Sequence, residues 1–358
     1  MKHRFLAPVV FPIAVLLISH TPIQAQDNFS WKSVASLAAN DQAEAGSTGD
    51  ADPAQADSTT PTADFDGVAP LEGDGHGLWD SRCDACDPVD PRLLGMFVRS
   101  DTRFSKFISP MTNPVYFEDP RTLTEARLIY LRHKVPLAAG AGNLNVVALQ
   151  VRAALTERLS IIATKDGFVT STNALIDDGW ADVNVGLKYN LFANAQTQTL
   201  LSGGVTFELP VGSTRTLQGT GDGLFHLYLT GGQEIAGGHW LSASGFLLPT
   251  NVTEESQIWY WSNHFDHELG STGIYGLVEV NWYHWMRSGK GGIPGVEGGD
   301  LFNFGSTGVA GNDIVTGAFG IKFKPGERSE IGIAWELPLT AREDVLDNRL
   351  TVDWILRY

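Results

Sequence analysis

His264-Phe265-Asp266-His267 gathers two imidazoles and a carboxylate within four residues, a grouping that could ligate a metal in a loop or helix. On an extended chain, positions three apart face opposite ways, so His264 and His267 cannot hold one ion together. No metal and no cofactor is expected. His284, with Ser288 a few residues on, begins a base–nucleophile pair. Hydrolysis also needs a group that orients the histidine, and none stands at matching phase, so the chain reads as a non-enzyme. The only cysteines, Cys83 and Cys86, form a C-x-x-C that suits a redox pair, half a zinc site or a local disulfide. Asp84 and Asp87 work against a reactive thiolate, and His76 is the one further zinc ligand nearby. A small structural disulfide is the reading that remains. The long loop 287–311 is rich in glycine, but those glycines do not follow a strand and open a helix, so a phosphate cradle is not indicated.

What positions these residues is strand. Twelve stretches, at about 124–135, 143–154, 157–166, 181–191, 198–209, 223–233, 239–248, 256–267, 273–286, 312–324, 328–338 and 346–358, have strand character. Val183, Val185, Leu187, Tyr189 and Leu191 alternate with Asp182, Asn184, Gly186, Lys188 and Asn190. Phe225, Leu227 and Leu229 alternate with His226, Tyr228 and Thr230, and Ile331, Ile333, Trp335 and Leu337 with Glu330, Gly332, Ala334 and Glu336. One face is thus apolar and the other polar. The polar phase collects Gln150, Arg152, Asp182, Lys188, Glu208, His226, Tyr228, His264, Asp266, Glu279, Asn281, Lys322, Glu336, Asp353 and Arg357. Both charge signs are present, so these residues form either a bracing ion-pair network or a polar pathway for a small solute.

Short links (155–156, 192–197, 234–238, 270–272, 325–327) alternate with long ones (136–142, 167–180, 210–222, 249–255, 287–311, 339–345). All tight turns therefore lie at one end. A soluble β-sandwich would alternate in the same way within strands but does not require this asymmetry. A closed antiparallel transmembrane barrel of about twelve strands does show it, and it places both termini on the short-turn side. Trp259-Tyr260-Trp261 and Trp282-Tyr283-Trp285 fall near strand ends, where membrane interfaces favour aromatics. The last strand, with Leu350, Val352, Trp354, Leu356 and Tyr358 in phase, resembles the terminal strand that barrel assembly machinery recognises.

The N-terminus fits an exported chain. Lys2 and Arg4 precede an apolar run broken by Pro8 and Pro12, with cleavage expected after Ala25. No run of 18 apolar residues follows to make a spanning helix. The net charge of −16 is concentrated in an acidic stretch, 26–78, that has no Lys or Arg from Ser33 to Ser81. Such a composition cannot bury a core and reads as disordered, and the charge disfavours nucleic acid. Four divisions follow: signal peptide 1–25, acidic linker 26–78, a periplasmic-side segment 79–123 with room for one short helix, and the barrel 124–358.

Asp178-Gly179-Trp180-Ala181-Asp182 followed by Val185-Gly186-Leu187-Lys188-Tyr189 is similar to the G-x-x-D-x-x-x-G-x-K-Y signature of the MetA-pathway phenol-degradation family of outer-membrane proteins. Gly204 to Pro210 and Asn312 to Pro325 extend the resemblance across 124–358. It implies a Gram-negative outer-membrane channel for small hydrophobic or aromatic solutes, passing them by diffusion. Membrane lipid, the assembly machinery and an unidentified solute are the expected partners, with the N-terminal segment in the periplasm. A structural or tethering barrel with a closed lumen is the alternative. Whether the N-terminus plugs the pore or tethers something stays open, as does whether loop 287–311 folds into the lumen or faces solvent.

Overall fold

The computed structural model describes residues 92–358. The signal sequence, the acidic linker and the Cys83–Cys86 pair lie outside them. Fourteen strand segments follow one another: β1 (Glu125–Lys134), β2 (Asn143–Ala154), β3 (Leu159–Lys165), β4 (Phe168–Ser171), β5 (Gly179–Trp180), β6 (Val183–Asn194), β7 (Thr199–Leu209), β8 (Leu224–Ile235), β9 (Gly238–Pro249), β10 (Gln257–Glu268), β11 (Ile274–Arg287), β12 (Asp313–Gly326), β13 (Ser329–Pro338) and β14 (Asn348–Arg357). Neighbours pair antiparallel, and β1 pairs with both β2 and β14, so the sheet closes on itself. β3 and β4 both pair with β2 and are two halves of one stave. β5 and β6 are likewise halves of the next, which leaves a closed barrel of twelve staves.

The alternation in sequence maps onto the two wall faces. On β14, Arg349, Thr351, Asp353, Ile355 and Arg357 are buried within the barrel, while Leu350, Val352, Trp354 and Leu356 face outward. Ile355, which interrupts the polar phase, is fully buried among the inward residues. Outward positions such as Leu187, Leu227, Phe319, Ile321 and Ile333 form an apolar band around the wall. Closure satisfies the backbone of every stave without an edge, the condition for crossing lipid with strands.

Residues 167–180 read as a loop from sequence, but β4 and β5 lie there. The stave halves are separated by Asp166-Gly167 on one side and Ala181-Asp182 on the other. Two bonds hold this break shut. Ala181 N donates to Gly167 O at 2.9 Å, and Leu149 N donates to the side-chain Oδ1 of Asp166 at 3.0 Å in place of a backbone acceptor. Alternation fails at this pair of breaks, which is why periodicity did not carry the strand through it.

Gly186 on β6 shows how tightly the wall is built. A Cβ there would stand 2.1 Å from Val205 O and 2.5 Å from Thr206 Cα. Replacing Gly186 by valine is therefore expected to cost about 2–3 kcal/mol through overpacking. The measurement is the temperature at which the folded, fast-migrating gel band is lost. An unchanged transition would show that β6 and β7 have slack.

Candidate functional site

The interior of this barrel is occupied by its own chain. From Phe107 to Glu125 every residue is buried, and the segment runs up inside the staves, turns and returns to β1. The short helix expected over 79–123 is absent among the described residues. A single 3₁₀ turn, Thr102–Phe104, stands in its place. Pro110, Pro114 and Pro120 cannot donate in a helix, and the polar residues between them find partners on the wall instead.

The apex is a turn in which Asn113 O accepts from Tyr116 N and Phe117 N at 3.2 and 2.8 Å. Asn113 has φ 49°, a left-handed conformation that asparagine tolerates. Arg121 ties the two arms together. Its guanidinium grips Asp119 in a fork, with Nε–Oδ1 at 3.0 Å and Nη2–Oδ2 at 2.7 Å, and donates to Phe107 O at 2.8 Å.

The wall meets the hairpin group by group. Glu118 takes Arg152 through two bonds, 2.8 and 2.5 Å, and Lys188 at 2.7 Å. Lys322 Nζ donates to Ser109 O at 2.9 Å and to Asp353 Oδ2 at 2.9 Å. Arg357 bridges Ser109 Oγ, Glu330 and Glu125. Glu279 accepts Met111 N at 2.7 Å and Thr112 N at 2.6 Å, besides the Thr112 hydroxyl. His264 donates to the same carboxylate at 2.6 Å and to Asp266 at 3.0 Å, and Asp266 in turn meets His239 at 2.7 Å. His264 thus has a carboxylate at each ring nitrogen, Glu279 at Nδ1 and Asp266 at Nε2. His267 faces outward, away from this chain.

The remaining inward candidates divide by height. Asn281 donates to Thr112 Oγ1 at 2.9 Å. His226 meets Tyr260, whose hydroxyl donates to Tyr116 O at 2.7 Å, and stacks on Tyr228. Gln150 donates to Pro114 O at 2.7 Å. Asp182, Glu208 and Glu336 make their hydrogen bonds elsewhere than on the hairpin. Asp182 accepts Gly212 N and Gly219 N and pins the loop after β7, Glu208 pairs with Lys165 at 2.5 Å, and Glu336 takes Thr316 at 2.6 Å. Sequence reasoning missed the hairpin's own Ser109, Glu118, Asp119 and Arg121, along with Arg127, Glu330 and Tyr260. The available signal was Glu118-Asp119-Pro120-Arg121, charges set among apolar residues in a segment with no strand of its own.

At the long-loop end, loop 288–312 turns inward. Leu301 and Phe302 are buried, and Asp300 holds Arg349 in a fork at 2.7 and 2.8 Å. Glu297, fully buried, accepts Ser256 Oγ, Ser306 N and Phe304 N at 2.7, 2.8 and 3.0 Å. Arg342 of the last loop donates to Gly295 O. Three loops thus interlock as a lid. Between lid and hairpin lies a cavity of about 40 Å³ lined by Pro114, Val146, Thr164, Val169, Leu301 and Phe302. Outside the wall at the same place is an apolar notch of about 400 Å³ formed by Leu128, Val147, Leu149, Trp180, Val183 and Val211. Ala148, Asp166 and Ala181, at the stave break, border both.

On the outer face, His284 does have an orienting group. Asp313 on β12 stands 2.8 Å from its Nδ1 and also accepts Trp282 Nε1 at 2.7 Å, which corrects the sequence expectation. The partner was hidden because it lies on the adjacent strand. Ser288 remains engaged elsewhere, its Oγ accepting Val309 N and Ala310 N at 2.9 and 2.8 Å.

Fold and site together define a closed β-barrel whose lumen is filled by the segment preceding its first strand. No family model matches the chain, and no curated protein matches it. Among solved structures it is similar to an outer membrane channel from Pseudomonas putida F1, with 12% identity, 70% of this chain and 100% of that chain covered, and a TM-score of 0.49. The translocator domain of autotransporter NalP from Neisseria meningitidis shares 11% identity over 69% of this chain and 92% of that one, with a TM-score of 0.42. For the β domain of the Bordetella autotransporter BrkA the values are 11%, 66%, 99% and 0.41.

Two expectations follow from the hairpin and the lid. Glu118→Ala leaves Arg152 and Lys188 buried without their shared carboxylate, a loss of about 3–5 kcal/mol. In a background free of Cys83 and Cys86, a Thr112→Cys reporter should then react with a water-soluble maleimide, whereas the parent should not. The lid has the opposite electrostatics. Burial, with Glu208 nearby, pushes Glu255 up to about 8, and burial pushes Asp344 up to about 7 against the pull of Arg342. Both groups favour the closed lid when protonated, so that stability is complete below the ordinary carboxylate value of ~4 and is lost as pH rises through 7 to 8. Deuterium exchange of residues 297–306, corrected for intrinsic rate, should accelerate several-fold between pH 6 and 9 while residues 107–123 stay protected.

Proposed function

We propose that the protein is an outer-membrane channel for small apolar or aromatic solutes, of the kind the phenol-degradation resemblance implies. The carrying observation is the pairing of an occupied lumen with a cavity and notch that meet across the stave break. The apolar outer band supports placement in lipid, and the strand-based closure supports crossing it. The buried hairpin and the interlocked lid both stand in the way of an aqueous path for hydrophilic solutes. An apolar solute dissolved in the membrane reaches the notch directly and is separated from the inner cavity by two hydrogen bonds. Passage then runs from the lipid side through the wall, with displacement of the hairpin releasing the solute toward the short-turn end. The second reading, a structural barrel with no transport, draws on the density of buried ion pairs between hairpin and wall.

Intact Gram-negative cells exclude N-phenyl-1-naphthylamine slowly enough for its uptake to be followed by fluorescence. Expression of the protein should raise the uptake rate several-fold, and Ala181→Trp, which fills the break, should remove the gain. Proteoliposomes should show no swelling with arabinose. Swelling without dye uptake would identify an aqueous pore, and neither effect would favour the structural barrel.

A further inference from the structure

The wall beside the inner cavity carries hydrogen-bonding groups that nothing in the protein satisfies. Thr164, which lines the cavity, has an unpartnered buried hydroxyl. Lys165 lines it too and lies across from Asn184 in the β3–β6 register. Asn184 lies across from Glu208 in the β6–β7 register, so the patch continues from the cavity lining at Thr164 and Lys165 onto the next two staves. Asn184 is completely buried, yet neither its Oδ1 nor its Nδ2 has a partner. Glu208 spends Oε1 on Lys165 and leaves Oε2 unpartnered, and the hydroxyl of Thr206, one inward position along β7, is also unmatched. Five polar atoms in one patch of wall thus have no protein partner, and a buried polar group favours a site where it can hydrogen-bond. Apolar side chains would fill the same positions without that need.

Resting on the reading above, we infer that this patch is the head-group subsite of an amphiphilic alcohol, a hydrocarbon or aryl tail bearing an uncharged hydroxyl. Asn184 presents both a donor and an acceptor, the requirement of a hydroxyl that donates and accepts at once. An anionic head fits poorly, because Lys165 is already paired with Glu208 and the carboxylate of Asp166 borders both spaces. Size divides the ligand. The inner cavity of about 40 Å³ admits a head of a few atoms, whereas the outer notch of about 400 Å³ is apolar and accommodates a tail. Asp166 and Ala181 border both spaces, so one molecule can span the break with its hydroxyl inward.

Tail-brominated probes test this, since bromine quenches indole at short range and Trp180 lines the notch with 64% exposure. The full-length protein is placed in nanodiscs and titrated with 8-bromooctan-1-ol or 1-bromooctane at matched membrane concentrations. The contribution of Trp180 is isolated by subtracting a Trp180→Phe variant. The alcohol should quench it at about tenfold lower concentration than the alkane, and Asn184→Leu should abolish that advantage while leaving alkane quenching intact. Equal quenching by the two probes in the wild-type protein, a comparison that needs no Asn184 variant to fold, overturns the hydroxyl subsite but not the apolar passage. Failure of both probes to quench Trp180 overturns the passage through the notch as well. Thr206→Val offers an independent lesion of the same patch, and loss of the alcohol's advantage there supports the assignment.

Discussion

Charge compensation in a space that excludes water governs this structure. Twelve staves turn a polar face inward, and that face includes Arg127, Arg152, Lys188, Lys322 and Arg357, each buried. A buried cation left alone would cost several kcal/mol. The hairpin supplies what the wall lacks: Glu118 for Arg152 and Lys188, and the carbonyls of Ser109 and Pro110 for Lys322 and Arg127. In return Glu279 and Glu330 accept the hairpin's free backbone donors at Met111, Thr112 and Ser109. Neither partner is electrostatically complete without the other, so the filled lumen is part of the fold.

The two stoppers at the barrel's ends are built on different principles. The hairpin is held by ion pairs in which every carboxylate has a cation or several donors. The lid is held partly by carboxylates that lack cations, Glu297 among them, fixed by hydroxyl and backbone donors. The hairpin's carboxylates are therefore less sensitive to mild changes of pH than those of the lid. Between the two, the wall is weakest where the periodicity of its strands is broken.

The barrel could be read almost stave by stave because a two-residue period is a local property. The stretches at 143–154 and 198–209 match β2 and β7 to within a residue, even though Val146–Leu149 and Leu200–Leu201 interrupt the alternation of apolar and polar positions. The phase also identified inward residues such as Lys188 and Glu279. What it could not reveal was the occupant. Residues 107–124 have no period, and their conformation is set by wall side chains up to 248 positions away, as with Ser109 and Arg357. The break at Asp166 and Ala181 escaped notice for a related reason, as irregular backbone reads as loop.

The placement of the hairpin before β1, with partners on β14, constrains how the molecule comes together. Ser100 N donates to Tyr358 O, and Arg357 reaches both Ser109 and Glu125. The seam between first and last staves thus carries the hairpin's anchoring contacts. Arg357 stands on the closing stave and its guanidinium is buried between Ser109, Glu125 and Glu330, so its full set of partners exists only when hairpin and seam are both in place. Enclosure of the hairpin and sealing of the cylinder are accordingly coupled, because the same buried guanidinium takes part in both.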